Sequence, residues 1–154
     1  MVNFQEPSLL NKDIKKAAYS LLARREHSRQ ELMHKLLRKE FTQEDITPVL
    51  EALDEQNIQS DFRFGECQLR QRVTKGYGWQ YIRAELKQKG LSSDLIYQLE
   101  QQQDIDWFLQ ALKAYNKRFG DTVIADDKDR AKRIRFLQYR GFSTEQILAA
   151  LETN

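Results

Sequence analysis

Three seven-residue strings, "EFTQEDI" at 40–46, "GLSSDLI" at 90–96 and "GFSTEQI" at 141–147, recur about 50 residues apart and constrain the fold more than any other feature of the chain. In each, an apolar residue (Phe41, Leu91 or Phe142) follows a position suited to left-handed backbone just past a helix C-terminus, and can fold back onto that helix. The position is glycine in two copies, Gly90 and Gly141, and Glu40 in the first, which predicts a differently shaped first connection. Thr42, Ser92 and Ser143 then cap the next helix, and Asp45 and Gln146, three residues on, resemble capping-box partners.

The repeat extends outward from these strings. Leu36, Leu86 and Leu137 each stand five residues before the shared apolar position, on the preceding helix. An earlier helix keeps one apolar face through Ile14, Ala17, Leu21 and Leu22, then Phe62, Leu69 and Val73, then Phe108, Leu112, Tyr115 and Phe119. A third helix follows each cap with Ile46, Val49, Leu50 and Leu53, then Ile96 and Leu99, then Ile147, Leu148 and Leu151. With only Pro7 and Pro48 as prolines and no alternating β-branched run, the chain reads as all-α. The expected organisation is an N-terminal tail (1–11) and three tandem three-helix repeats (12–59, 60–103 and 104–154), an elongated modular molecule that needs no second copy to fold.

The register also explains the cluster "KGYGWQYIRAELKQKGLSS" at 75–93. Ser28 opens the second helix of the first repeat with the capping box "SRQE", and the equivalent starting positions are Gly78 and Asp129. Gly76 and Gly78 then end one helix and begin the next. Tyr77 and Trp79 either cover that corner as packing residues or form an aromatic platform among cations.

Several function classes are excluded or disfavoured. No apolar stretch approaches the ~20 residues needed to cross a bilayer, and "MVNFQEPSLLNKDIKK" lacks a signal-peptide centre, so a cytoplasmic protein with no membrane partner is expected. A single cysteine, Cys67, fits a reducing compartment and reads as a small core residue. His27 and His34 read as surface or packing residues with no carboxylate pair to complete a catalytic site. Asp121, Asp126, Asp127 and Asp129 fail the calcium-loop pattern, because Lys128 and Arg130 interrupt it and Gln138 stands where a bidentate Glu is needed. No catalytic residue, metal or cofactor is expected.

Charge placement carries the functional reading. Net charge is only +2, yet Lys and Arg occur 9 times in 12–39, 7 times in 63–89 and 9 times in 113–140, and nowhere else. The third helices lie in the cation-free intervals, which predicts a basic surface repeated along the molecule. "LMHKLLRKEFTQEDITPVLEAL" looks like a helix-turn-helix, but its second helix carries Glu44, Asp45, Glu51, Asp54 and Glu55, which would meet phosphate with repulsion. A basic face of first and second helices can contact phosphates without reading bases.

The strings "SLLARREHSRQELMHKL", "SDFRFGECQLRQR", "KGYGWQYIRAELKQKGL" and "RFLQYRGFSTEQI", in this order, resemble the RecX family of bacterial regulators of the RecA recombinase, over roughly residues 12–151. The resemblance implies a curved molecule of three three-helix repeats that binds in the groove of the RecA filament on single-stranded DNA, limits filament extension, and inhibits ATP hydrolysis and strand exchange, with a part in recombination, DNA repair and the SOS response. It implies the RecA filament and single-stranded DNA as partners, with double-stranded DNA as a further candidate. Departures are concentrated in the third repeat, where Arg133 stands at the position of Leu32 and Ile82 and "GDTVIADDKD" lengthens the first connection. Candidate contacts are Arg24, Arg25, Arg29, Lys35 and Arg38; Arg70, Arg72, Lys75, Tyr77, Trp79, Arg83, Lys87 and Lys89; and Arg130, Lys132, Arg133, Arg135 and Arg140. Some of these cations are expected to pair instead with the acidic third helices of neighbouring repeats. The competing reading is a sequence-independent DNA-binding protein that acts without RecA.

Overall fold

The computed structural model describes residues 9–153, and these contain nine α-helices and no strand. They are α1 (Leu9–Arg24), α2 (Arg29–Arg38), α3 (Gln43–Glu55), α4 (Asp61–Thr74), α5 (Trp79–Gln88), α6 (Ser93–Gln102), α7 (Trp107–Phe119), α8 (Asp127–Tyr139) and α9 (Thr144–Glu152). The expected tail, 1–11, lies outside the described residues up to residue 8, as do Pro7 and the first half of the stretch read for a signal peptide; Leu9, Leu10 and Asn11 already belong to α1.

Chain contacts define two compact units. One takes the chain up to Gly65 together with Lys89–Leu91; the other takes Glu66–Gln88 and the chain from Ser92 on. The first has a core of Ile14, Ala18, Leu32, Leu36, Ile46, Val49, Leu50 and Leu53, and the second one of Ala111, Ala114, Tyr115, Leu137, Phe142, Ile147, Ala150 and Leu151. Leu36, Leu86 and Leu137 are all fully buried, so the apolar spacing of the repeat reports real burial in each copy.

Local chemistry sets the helix starts. Thr42, Ser92 and Ser143 accept from the backbone N–H groups of Asp45, Leu95 and Gln146, and Ser28 accepts from that of Glu31. Ser28 with Glu31 and Ser143 with Gln146 form complete capping boxes; in the remaining pair the Thr42 hydroxyl instead donates to the Asp45 carboxylate at 2.8 Å.

The helix ends correct one expectation. Glu40 does not give the first connection a different shape: it adopts φ 72°, in the same left-handed region as Gly90 at 92° and Gly141 at 94°. Glu40 is exposed, so only backbone sterics oppose its side chain. Glu40→Gly is therefore expected to raise stability by about 1 kcal/mol in urea unfolding; an unchanged or lowered midpoint would contradict that account.

Gly90 and Gly141 are required for a second reason, close approach. The Ser28 hydroxyl donates to the Lys89 carbonyl at 2.8 Å, and a Cβ on Gly90 would overlap the Gln30 side chain. Farther along the chain the equivalent contact recurs: the Gly78 N–H donates to the Arg140 carbonyl at 2.7 Å and the Gln80 N–H to the Gly141 carbonyl at 3.1 Å. A Cβ on Gly141 would fall against the Tyr81 backbone nitrogen, and one on Gly78 would lie 2.6 Å from the Gly141 oxygen. The start of each of these second helices thus seats on the glycine turn that ends the second helix of the following repeat.

Other expectations fail for identifiable reasons. Helix α8 is capped not by Asp129 but by Asp126, three residues earlier, which accepts from the Asp129 N–H at 2.8 Å. Phe108, expected on the inner face of α7, is exposed; Gln110, Ala111, Ala114 and Tyr115 turn inward instead. Gln110 is buried without penalty because its amide donates to the Val73 carbonyl at 2.7 Å, capping the end of α4. Cys67 is half-buried rather than a core residue, and its sulfur accepts from Arg70 Nη2 at 3.4 Å.

Candidate functional site

The candidate cations separate into those already engaged within the fold and those left to solvent. In the first unit Glu31 is the hub. Arg25 grips its carboxylate with both terminal nitrogens at 2.9 and 3.1 Å, Lys89 approaches to 3.4 Å, and the Ser28 N–H donates to it at 3.2 Å. Burial disfavours the Glu31 anion, but the Arg25 and Ser28 hydrogen bonds and the charges of Arg25 and Lys89 outweigh it and hold the carboxyl at about 2, below its ordinary 4.5.

Beside this hub, His27 is buried at the start of α2. Its Nδ1–H donates to the Arg25 carbonyl at 3.0 Å, which fixes Nε2 as the acceptor for the Lys35 ammonium at 2.9 Å. Burial, followed by the nearby charges of Arg25 and Lys35, lowers the His27 pKa and keeps the ring neutral; burial likewise lowers that of Lys35. Arg29 reaches Glu51 of α3 at 3.8 Å. Arg24 and Arg38 are exposed and in no ion pair among the described residues.

In the second unit Arg72 is tied to Glu85 at 2.8 Å, and Gln68 donates to the same carboxylate. Tyr77 stacks on Tyr81 with ring centres 4.2 Å apart, and the Arg140 guanidinium lies 4.7 Å from the Tyr77 ring. Arg140 also donates to the Lys75 carbonyl at 2.7 Å, closing the end of α4. Trp79 tilts against Trp107 at 6.2 Å. Both Tyr77 and Trp79 are half-buried, so each packs the corner and still presents an edge to solvent.

Arg133 is the exception among the candidates. It is only 2 % exposed, and its guanidinium donates to Tyr115 Oη at 2.7 Å, the Thr122 carbonyl at 2.8 Å and the Asp129 carboxylate at 3.1 Å. The connection lengthened by "GDTVIADDKD" supplies the carbonyl, which is why an arginine replaces Leu32 and Ile82 at this position without leaving a buried charge unpaired. Arg133 therefore belongs to the interior and not to an exposed basic surface.

The expected pairing of candidate cations with the third helices of neighbouring repeats does not occur among the described residues: Arg29 reaches Glu51, but α3 belongs to the same repeat as α2. Otherwise the candidate cations pair with Glu31, Glu85 and Asp129 of the second helices. Arg70, Lys75, Arg83, Lys87, Arg130, Lys132 and Arg135 remain exposed and make no ion pair among the described residues.

Two surfaces each gather several cations of the second unit, while Arg70, Arg130, Lys132 and Arg135 line neither. A cleft of about 550 Å³ runs between α5 and α6, with Trp79, Arg83 and Lys87 on one wall and Asp94, Tyr97 and Glu100 on the other. Trp79, Arg83 and Lys87 are spaced four residues apart and so share one helix face. The other surface lies where Lys75 and Arg140 meet α7, and there Lys113, Lys117 and Arg118 join them. Those three residues are absent from the sequence-derived contact set; the i, i+4 spacing of Lys113 and Lys117 is the signal that points to them.

Comparison with known proteins assigns the chain. Models of the first, second and third three-helix domains of RecX match residues 15–53, 60–98 and 104–151. Regulatory protein RecX of Halorhodospira halophila is 39% identical over 145 residues, covering 94% of this chain and 90% of that protein. The protein of the same name from Vibrio parahaemolyticus is 41% identical over 147 residues, covering 96% and 93%. A crystal structure of RecX from Lactobacillus salivarius has the same fold, with a TM-score of 0.76 at 17% identity over 94% of this chain and 96% of that one. Among the described residues no helix is long and apolar enough to cross a membrane. With an all-α fold built from three matched three-helix domains and close relatives along nearly its whole length, the chain belongs to the RecX family of non-enzymatic regulatory proteins.

Proposed function

We propose that this protein regulates the RecA recombinase in the cytoplasm by lodging, as a monomer, in the groove of the RecA filament on single-stranded DNA, where it opposes filament extension, ATP hydrolysis and strand exchange. Membership in the RecX family supports RecA as the partner. The observation that carries the reading further is the mixed chemistry of the exposed surface. The cleft between α5 and α6 sets Arg83 and Lys87 against Asp94 and Glu100, an arrangement complementary to a protein segment carrying both signs of charge and repulsive to phosphate on its acidic wall. A filament offers such protein surface at every subunit, and several weak contacts along it add by effective concentration.

The candidate cations have different parts in this reading. Arg24, Arg38, Arg70, Lys75, Arg83, Lys87, Arg130, Lys132 and Arg135 are the available contacts, whereas Arg25, Lys35, Arg72, Lys89 and Arg140 hold the surface in shape through their internal partners. Replacing Arg72 would remove the ion-pair partner of Glu85, so the binding test uses Arg83 and Lys87 instead.

Fluorescence anisotropy at two salt concentrations tests the proposal, with RecA filaments on single-stranded DNA and the same DNA alone. The expected result is tighter, salt-tolerant binding to filaments, weakened about tenfold by Arg83→Ala with Lys87→Ala. Equal affinity for both, collapsing as salt rises, would instead favour a DNA-binding protein that acts without RecA.

A further inference from the structure

The surface at the end of α4 differs from the cleft between α5 and α6 in one decisive respect: it has cations and no carboxylate. Two adjoining hollows, of about 320 and 200 Å³, share Lys75, Gly76 and Lys117; Lys113 lines the first, and Arg118 and Arg140 line the second. No Asp or Glu lines either hollow, and Lys75, Lys113, Lys117 and Arg118 are exposed with no ion pair among the described residues. Phe136 forms part of the floor, with Arg118 and Arg140 lying 6.0 and 5.1 Å from its ring. Tyr77, clamped between Arg140 and Tyr81, extends the aromatic surface from the other side of Arg140.

We infer that this cleft binds the phosphodiester backbone of single-stranded DNA. Lysines one helical turn apart on α7, facing Lys75 across the hollow, place point charges along a track, which is what a flexible polyanion requires. The guanidiniums of Arg118 and Arg140, each beside an aromatic ring, add two further positive charges at the end of that track. Binding sites for the two components of the filament are thereby separated, the mixed-charge cleft taking protein and the cationic cleft taking nucleic acid. This inference rests on the filament reading for its biological setting, but not for its chemistry.

The test measures fluorescence anisotropy of a labelled oligothymidylate without RecA, across a salt series, for the wild type and for Lys113→Gln with Lys117→Gln. All the altered side chains are exposed, and unchanged far-UV helicity checks that the fold persists. The expected result is a loss of about tenfold in affinity and a shallower salt slope, by about 0.7 for each phosphate contact removed. Lys113→Arg with Lys117→Arg is expected to bind as the wild type does. Unchanged affinity and slope in the glutamine variant, or no measurable binding of the oligonucleotide by the wild type, would overturn the inference. So would a variant that binds DNA normally yet loses RecA filaments, because the cleft would then take an acidic protein segment. Failure of the wild type to bind filaments, with DNA binding still dependent on Lys113 and Lys117, would sink the filament reading and leave the cleft assignment intact.

Discussion

Gly141→Ala is expected to lower stability by about 4 kcal/mol, whereas Gly76→Ala, at a similar backbone angle, is expected to lose only about 1 to 2. Both residues have positive φ, 94° and 88°, so the backbone term is common to the two. Their surroundings differ. An added Cβ at Gly76 meets nothing nearer than the Arg140 side chain at 3.6 Å, while at Gly141 it meets the backbone of Tyr81. Relieving that overlap requires the start of α5 to move away, which breaks the Gly78-to-Arg140 and Gln80-to-Gly141 hydrogen bonds together. Urea unfolding followed by far-UV circular dichroism checks the difference. Equal losses for the two variants would show that backbone angle alone accounts for Gly141 and that the seating of one repeat on the next contributes little.

Acid should destabilise the first unit in two steps. The His27 pKa lies below its ordinary 6.5, so the unfolded chain takes up a proton before the folded one does; stability is full above pH 6.5 and is lost as pH falls through the lowered value. Glu31, with its carboxyl at about 2 against 4.5, contributes stability that is complete above pH 4.5 and disappears as pH falls toward 2. A displacement of that size corresponds to about 3 kcal/mol at neutral pH. Glu31→Gln is therefore expected to lose about that much at pH 7 and to show a flatter stability profile between pH 4.5 and 2. Parallel profiles for the variant and the wild type in that interval would mean that the Arg25, Ser28 and Lys89 contacts do not stabilise the Glu31 anion in solution.

How far each feature was legible in the sequence depends on how local its cause is. The caps at Ser28, Thr42, Ser92 and Ser143 are set by residues within one turn, and the sequence read them correctly. Gly90 and Gly141 were legible as helix-ending residues, but the reason they tolerate no Cβ lies some 60 residues away, at Gln30 and Tyr81. Glu40 misled for the complementary reason: the left-handed angle is needed there too, and an exposed non-glycine residue can bear it at modest cost. The start of α8 was misplaced because "DDKD" offers several capping aspartates, and only the fold selects Asp126 over Asp129.

The candidate surface was less legible still. A run of cations reports where positive charge lies along the chain, but not which side chains are already engaged. The repeat register set Arg133 at the position of Leu32 and Ile82, but the partners that let an arginine be buried there, Tyr115 and the Thr122 carbonyl, lie too far along the chain for a local pattern to show. Arg72 and Arg140 likewise serve internal partners that no local pattern predicts. Conversely, Lys113, Lys117 and Arg118 belong to a first helix whose apolar face dominated its reading, and they gain meaning only beside Lys75.

The central claim is that the protein acts on the RecA filament, and the most direct measurement is the steady-state ATP hydrolysis rate of RecA on single-stranded DNA as this protein is added. The account predicts that the rate falls in a saturable manner and that Arg83→Ala with Lys87→Ala shifts the fall to higher concentration. A rate that stays constant while anisotropy shows the protein bound to the same filaments would contradict it.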